Sequence, residues 1–327
     1  MTQATLNRRN FLALLAAFAG TQVLAGCKSR DLPISIATHM WPGYEPLSLA
    51  SDLGWLNKNL VRLIETESAT DSINLLEAGK IDGAGLTLDE VLRIRENGTP
   101  LSVLLVCDIS AGADMLLVRP DIATLADLKG RRIGVEEGAL GALMLFEILK
   151  AAGLRLRDVT PVSLSIDQQA EAWQHGQIDA VVTYEPSARA INAQGGKLLF
   201  DSRRLPELIF DVIAVRTALL DDAHHAALRH LTAMQLKALK HLTSSPDDAA
   251  YRMSKHLKLP AHEVLSTFKG LILPDLDNNI RLLAGDKPAL LDSALRVAEV
   301  MRKAGILHQY QDMSGLLHPE YLPQGND

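Results

Sequence analysis

Cysteine, aromatic residues and excess positive charge are all scarce in this chain, and each scarcity narrows what it can be. The 327 residues include two cysteines, aromatics make up 4%, and 33 Lys plus Arg face 39 Asp plus Glu, for a formal charge of −6. That balance argues against a nucleic-acid partner, which needs clustered cations; no basic stripe is present. Cys27 and Cys107 stand in unlike contexts, and Cys107, beside the apolar run 102–106, reads as a small core hydrophobe. After the leading segment no stretch is long and apolar enough to span a bilayer. Nucleophile-elbow, phosphate-loop and dinucleotide motifs are missing, and His224, His225, His230 and His241 lack the spacing and companions of a zinc site. No enzyme activity, cofactor or metal is therefore expected.

What is present begins with an address. Arg8 and Arg9, the apolar stretch 14–20 and Leu24-Ala25-Gly26-Cys27 read as a secretory signal over residues 1–26. The last four residues resemble a bacterial lipobox, which makes Cys27 the lipidation site. The Arg pair followed by Phe11-Leu12 resembles a twin-arginine signal, and a general secretory route stays open. Removing Met1–Gly26 leaves a charge of −8. Such a protein sits in the periplasm, held to the inner or outer membrane by lipid without spanning it.

The mature length is enough for two domains. Strand patterns at 32–37, 61–65, 81–86, 101–106 and 115–118 alternate with helical ones, and a second such series starts at Arg131, so the expected class is α/β with mostly parallel sheets. From Ala218 onward the pattern is helical, broken near Pro246, Pro260, Pro274 and Pro288. One internal echo stands out. Leu76-Glu77-Ala78-Gly79-Lys80-Ile81-Asp82-Gly83-Ala84 recurs in outline as Trp173-Gln174-His175-Gly176-Gln177-Ile178-Asp179-Ala180-Val181. Two similar lobes, each offering strand carboxyl ends to a shared cleft, would produce it.

The segments Trp41-Pro42-Gly43-Tyr44-Glu45-Pro46, Gly112-Ala113-Asp114, Leu125 to Val135, Asp179 to Pro186 and Phe210-Asp211-Val212 resemble, in that order, the periplasmic solute-binding proteins of nitrate, sulfonate, taurine and thiamine-pyrimidine-precursor uptake. The resemblance implies a two-lobed (type II) periplasmic-binding-protein fold. Residues 31–114 with 215–327 would form lobe 1 and 115–214 lobe 2, with crossings near Ala113–Arg119 and Phe210–Arg216. It implies a monomer that delivers a small ligand to an ABC permease. A membrane sensor as partner, or an enzyme on the same scaffold, are the alternatives.

Several residues are candidate ligand groups. Trp41 and Tyr44 follow the first strand on a Pro-Gly turn and can cover a ligand, as can Tyr184. The turn Glu137-Gly138-Ala139 opens a helix whose free N–H groups suit an anion. Asp89, Asp108, Glu185 and Asp211 stand at strand ends and can grip an ammonium or amidine; Asp114 reads as a hinge residue. Thr70 and Thr87 can add hydrogen bonds. The acid-rich, arginine-poor set favours an amine-bearing or zwitterionic solute over nitrate.

Overall fold

Ile34–His39 (β1) and Val61–Thr66 (β2) run parallel, from Ile34 opposite Val61 to His39 opposite Thr66. They open a computed structural model that describes residues 31–138 and 140–324. The signal segment, Cys27 and Ala139 lie outside the described residues. Between and after these strands come helices Glu45–Asp52 (α1), Ala69–Glu77 (α2) and Leu88–Glu96 (α3), with strands Gly83–Thr87 (β3) and Leu101–Ser110 (β4). The chain then crosses to a second series: Met115–Val118 (β5), Arg132–Val135 (β6), helix Gly141–Ala152 (α4), Thr160–Ser163 (β7), helix Ile166–Gln174 (α5), Ala180–Thr183 (β8), helix Ser187–Ala193 (α6) and Lys197–Asp201 (β9). It returns as Phe210–Arg216 (β10). Helices His225–Ser244 (α7), Pro246–Met253 (α8) and Ala261–Val264 (α9), the short strand Leu271–Ile272 (β11), and helices Leu276–Leu283 (α10) and Ala289–Ala304 (α11) complete it. Pro246 begins α8, and Pro260 and Pro288 stand immediately before α9 and α11, where a missing N–H costs nothing. Among the described residues no helix is long and apolar enough to cross a membrane.

Two sheets result, ordered β11-β4-β10-β3-β1-β2 and β7-β6-β8-β5-β9. Helices flank both, and apolar side chains from both series are buried, so the architecture is two-lobed α/β. The sheets are mixed, not mostly parallel. β10 returns from the second sheet and pairs antiparallel with both β3 and β4, and β5 arrives from the first and pairs antiparallel with β8 and β9. The passages also fall earlier than the sequence suggests. Phe210 already pairs with Ile109 of the first sheet, so the link from β9 to β10 is residues 202–209 and residues 210–214 stand in the first sheet. The outward passage is residues 111–114.

The internal echo is structural. In lobe 1, Asp82 Oδ2 accepts hydrogen bonds from the Ser35 N–H (2.8 Å) and hydroxyl (2.7 Å) at the start of β1. In lobe 2, Asp179 Oδ2 accepts from the Arg132 N–H (2.9 Å) at the start of β6 and also binds its guanidinium. Each Asp carbonyl accepts from an arginine N–H at 2.9 Å, Arg216 and Arg119 respectively. Each arginine turns its guanidinium to the end of the preceding helix, at the Leu76 and Trp173 carbonyls. Gly79 and Gly176 supply the positive φ values (70° and 65°) that end those helices. Asp82→Ala is expected to cost about 1–3 kcal/mol, because it leaves a strand N–H unpaired. Urea unfolding should show a lower midpoint at unchanged slope; a loss below about 0.5 kcal/mol would refute the strand-anchoring role.

Candidate functional site

The carboxyl ends of β1, β3, β6 and β8 converge between the sheets, bringing together His39, Thr87, Glu136 and Tyr184. With Trp41, Glu90, Asp114, Gln169 and Asp211, and apolar Ala69, Leu140 and Val182, they line a cavity of about 30 Å³. That space holds about two waters, so a larger solute needs the lobes to part. The two passages between the sheets are cross-braced by Ser202. Its Oγ lies 2.7 Å from Ser110 Oγ and accepts from the Gly112 N–H at 2.6 Å. Gly112 has φ +123°, a conformation open to glycine alone at little cost.

Aromatic rings wall one side. Tyr184 meets Trp41 edge-on, with centroids 5.0 Å apart, and leans toward His39 at 6.2 Å; His39 meets Tyr44 edge-on at 5.4 Å. Two carboxylates, Asp108 behind the wall and Asp211 in the cavity, fix two of these rings. Trp41 Nε1 donates to Asp108 Oδ2 at 2.9 Å, and Tyr44 Oη donates to Asp211 Oδ1 at 2.7 Å. Tyr44 lies directly over Gly85, where any Cβ would sit 2.9 Å from ring carbons.

The charge is one-sided. Glu90, Asp114, Glu136 and Asp211 line the cavity, and no Lys or Arg is among the described lining residues. Burial lowers the His39 pKa to about 4, so the ring is neutral at pH 7. Burial, partly countered by the Ser110 hydrogen bond and reinforced by the Asp89 charge, raises Asp114 to about 7. Glu90 is raised by burial and then by neighbouring Asp89. Asp211 is raised by burial and then by Asp108, which stands directly opposite it across β4 and β10. Two buried carboxyls so placed are best satisfied by sharing a proton. Among the described residues His39 Nδ1, Asp114 Oδ2, Asp211 Oδ2 and Tyr184 Oη are buried without a hydrogen-bond partner.

Two glutamates tie the lobes together. Glu90, on α3 of lobe 1, accepts from the Thr87 N–H (2.9 Å) and, across the cleft, from the Leu140 N–H (3.1 Å) at the start of α4. Glu136, at the end of β6 in lobe 2, accepts from the Thr70 N–H (3.1 Å) and hydroxyl (2.6 Å) at the start of α2.

Of the residues singled out in the sequence, Trp41, Thr87, Tyr184, Asp211 and Asp114 line the cavity. Tyr44 and Asp108 stand one layer behind, holding Asp211 and Trp41, and Thr70 bonds to Glu136 at the lobe junction. Four others lie elsewhere. Asp89 is buried off the cavity, since successive helical residues point about 100° apart and Glu90 takes the inward direction. Glu185 faces Arg189 one helical turn on, at 3.9 Å, and that arginine also binds Glu263 at 2.5 Å. Glu137 is exposed and Gly138 packs beside Thr70, so neither lines the cavity. The Leu140 N–H, just after that turn, binds Glu90. Sequence reasoning passed over Glu90, Glu136, His39 and Gln169. Thr87-x-x-Glu90 is a capping-box spacing and was the one signal available for Glu90.

Comparison with known proteins agrees with this architecture. An Escherichia coli (strain K12) protein named for binding aliphatic sulfonates is 34% identical over 86 residues, which is 26% of this chain and 27% of that protein. The taurine-binding periplasmic protein of the same organism is 22% identical over 254 residues, 75% of this chain and 79% of that one. The alkanesulfonate-binding protein SsuA from Xanthomonas axonopodis pv. citri, solved with MOPS, shares the fold at a TM-score of 0.71 and 19% identity, over 90% of this chain and 98% of that one. All three are named as binding proteins, and the taurine-binding one as periplasmic. The NMT1/THI5-like family pattern matches residues 41–249, which takes in β2 to β10, both passages between the lobes and nearly every residue of the cavity, and the chain belongs to that family.

Proposed function

We propose that this protein captures a small organic cation, an amine or amidine, between its lobes in the periplasm and hands it to an ABC permease without altering it. One observation carries the reading: four carboxyl groups and the rings of Trp41, Tyr184 and neutral His39 line the cavity, with no Lys or Arg among the described lining residues. Burying a cation there relieves the desolvated carboxyls, and the faces of Trp41 and Tyr184 add cation–π attraction. A sulfonate or nitrate would meet those carboxyls unaided. On this reading residues 31–110 with 210–324 form lobe 1 and 115–201 lobe 2, joined by the hinge at 111–114 and 202–209. Cys27 tethers the mature protein to the membrane.

A thermal-shift screen of the chain from residue 28 tests the proposal, with polyamines, aminopyrimidines, alkylamidines, taurine, alkanesulfonates and nitrate. A cation at a hundred times its Kd is expected to add about 2.7 kcal/mol, seen as several degrees in Tm. Shifts from the anions alone would overturn it. Mass spectrometry of the recovered cation is expected to show it unchanged.

A further inference from the structure

Two of the helices whose N-termini face the cleft have those ends covered by a carboxylate from the opposite lobe. Glu90 of lobe 1 covers α4 of lobe 2, 12 residues long, and Glu136 of lobe 2 covers α2 of lobe 1, 9 residues long. Such ends carry free N–H groups and a partial positive charge, and are where this fold can hold an anion. The glutamates are 2% and 6% exposed, and both line the cavity. We infer that Glu90 and Glu136 form a reciprocal latch that covers two cleft-facing helix ends with carboxylates from the opposite lobe, closing the lobes and excluding anionic solutes from those ends. This deepens the proposed cation capture and rests on it for the identity of the favoured ligand.

The latch differs from ordinary helix capping because each carboxylate comes from the other lobe. Its bonds form only when the lobes meet, so the two glutamates are specificity-determining residues and closure contacts at once. Opening the cleft breaks the Leu140 and both Thr70 bonds together, while the Thr87 bond within lobe 1 stays. Glu90 thus remains attached to its own lobe and swings back with it. An anion arriving in the open cleft finds the two helix ends bare, but must compete with tethered carboxylates at high effective concentration.

Two double variants test this, E90A/E136A and E90Q/E136Q. Glutamine keeps one acceptor oxygen, which serves both Thr70 bonds at residue 136 and the cross-lobe Leu140 bond at residue 90 at the expense of the Thr87 bond, whereas alanine bares both helix ends. Isothermal titration with hexanesulfonate is expected to show at least tenfold tighter binding to E90A/E136A than to wild type, with E90Q/E136Q close to wild type. Small-angle scattering of the ligand-free proteins is expected to show a larger radius of gyration for the alanine variant only. Equal hexanesulfonate affinity in wild type and the alanine variant, at unchanged circular dichroism, would overturn the latch. If the alanine variant does not fold, the single variants E90A and E136A replace it, each expected to gain at least threefold; no gain in either also overturns it. Wild-type titration with an alkylamidine runs in parallel: its failure would refute cation capture alone, since the gain in sulfonate binding is measured without it.

Discussion

Cation binding in the cleft is expected to release protons and to tighten steeply between pH 5 and 7. In the ligand-free closed form Asp114 titrates at about 7, well above the usual carboxylate value of 3.8, because it is buried. Glu90 and Asp211 are raised as well, and burial is again the main cause. Below pH 7 Asp114 and Glu90 hold protons that a bound cation must expel. For each proton released, affinity rises up to about tenfold per pH unit until the free-form pKa is passed, and then levels off. The stability of the ligand-free protein moves the opposite way. A carboxyl whose folded pKa is raised contributes stability fully below its unfolded value near 4, and loses it as pH climbs through about 7. The ligand-free Tm should therefore fall between pH 5 and 8, and saturating cation should reduce that fall. Titration calorimetry in two buffers of different ionisation enthalpy measures the proton count directly. Affinity that is flat from pH 5 to 8 with no proton release would show that the carboxyls do not face the ligand.

How much of this was readable in the sequence depended on whether the signal was local. The echo around Asp82 and Asp179 was legible because each copy folds as a short, contiguous helix–glycine–strand unit whose carboxylate anchors the nearest strand start. Trp41 and Tyr184 were legible because rare aromatics followed strand ends. Glu90 and Glu136 were not, since their importance comes from partners 50 and 66 residues away in the other lobe. The neighbouring pair Asp89 and Glu90 shows the limit well. Both are buried in the first turn of α3, and only the rotation of the helix decides which reaches the cleft. The mixed strand directions escaped for a related reason. A strand that returns from another lobe has the same alternation whichever way it runs, and Phe210–Arg216 becomes antiparallel only through where its neighbours lie.

Gly43→Ala is expected to be the most damaging single methyl group in the protein. The Pro42-Gly43 turn presses against β4 so closely that a Cβ on residue 43 would lie 1.6 Å from Asp108 Oδ2 and 2.8 Å from Trp41 Nε1. Asp108 is wholly buried, and its short side chain has little freedom to yield except by rotating away from Trp41. Rotation breaks the 2.9 Å bond between them and releases the indole that meets Tyr184 across the cleft. Overpacking costs about 1–3 kcal/mol and the lost buried hydrogen bond about as much again. A total near 3 kcal/mol should lower Tm by several degrees, together with at least a tenfold loss of cation affinity. Asp108→Asn makes the contrast, because it keeps an acceptor for Trp41 while removing a carboxyl that burial holds partly protonated. That variant should match or exceed wild-type stability at pH 8, where the wild-type carboxyl is ionised at greatest cost. If Gly43→Ala is as stable as wild type and binds the cation equally well, the turn is looser than its geometry requires, and Asp108 does not hold Trp41 in place for the ligand.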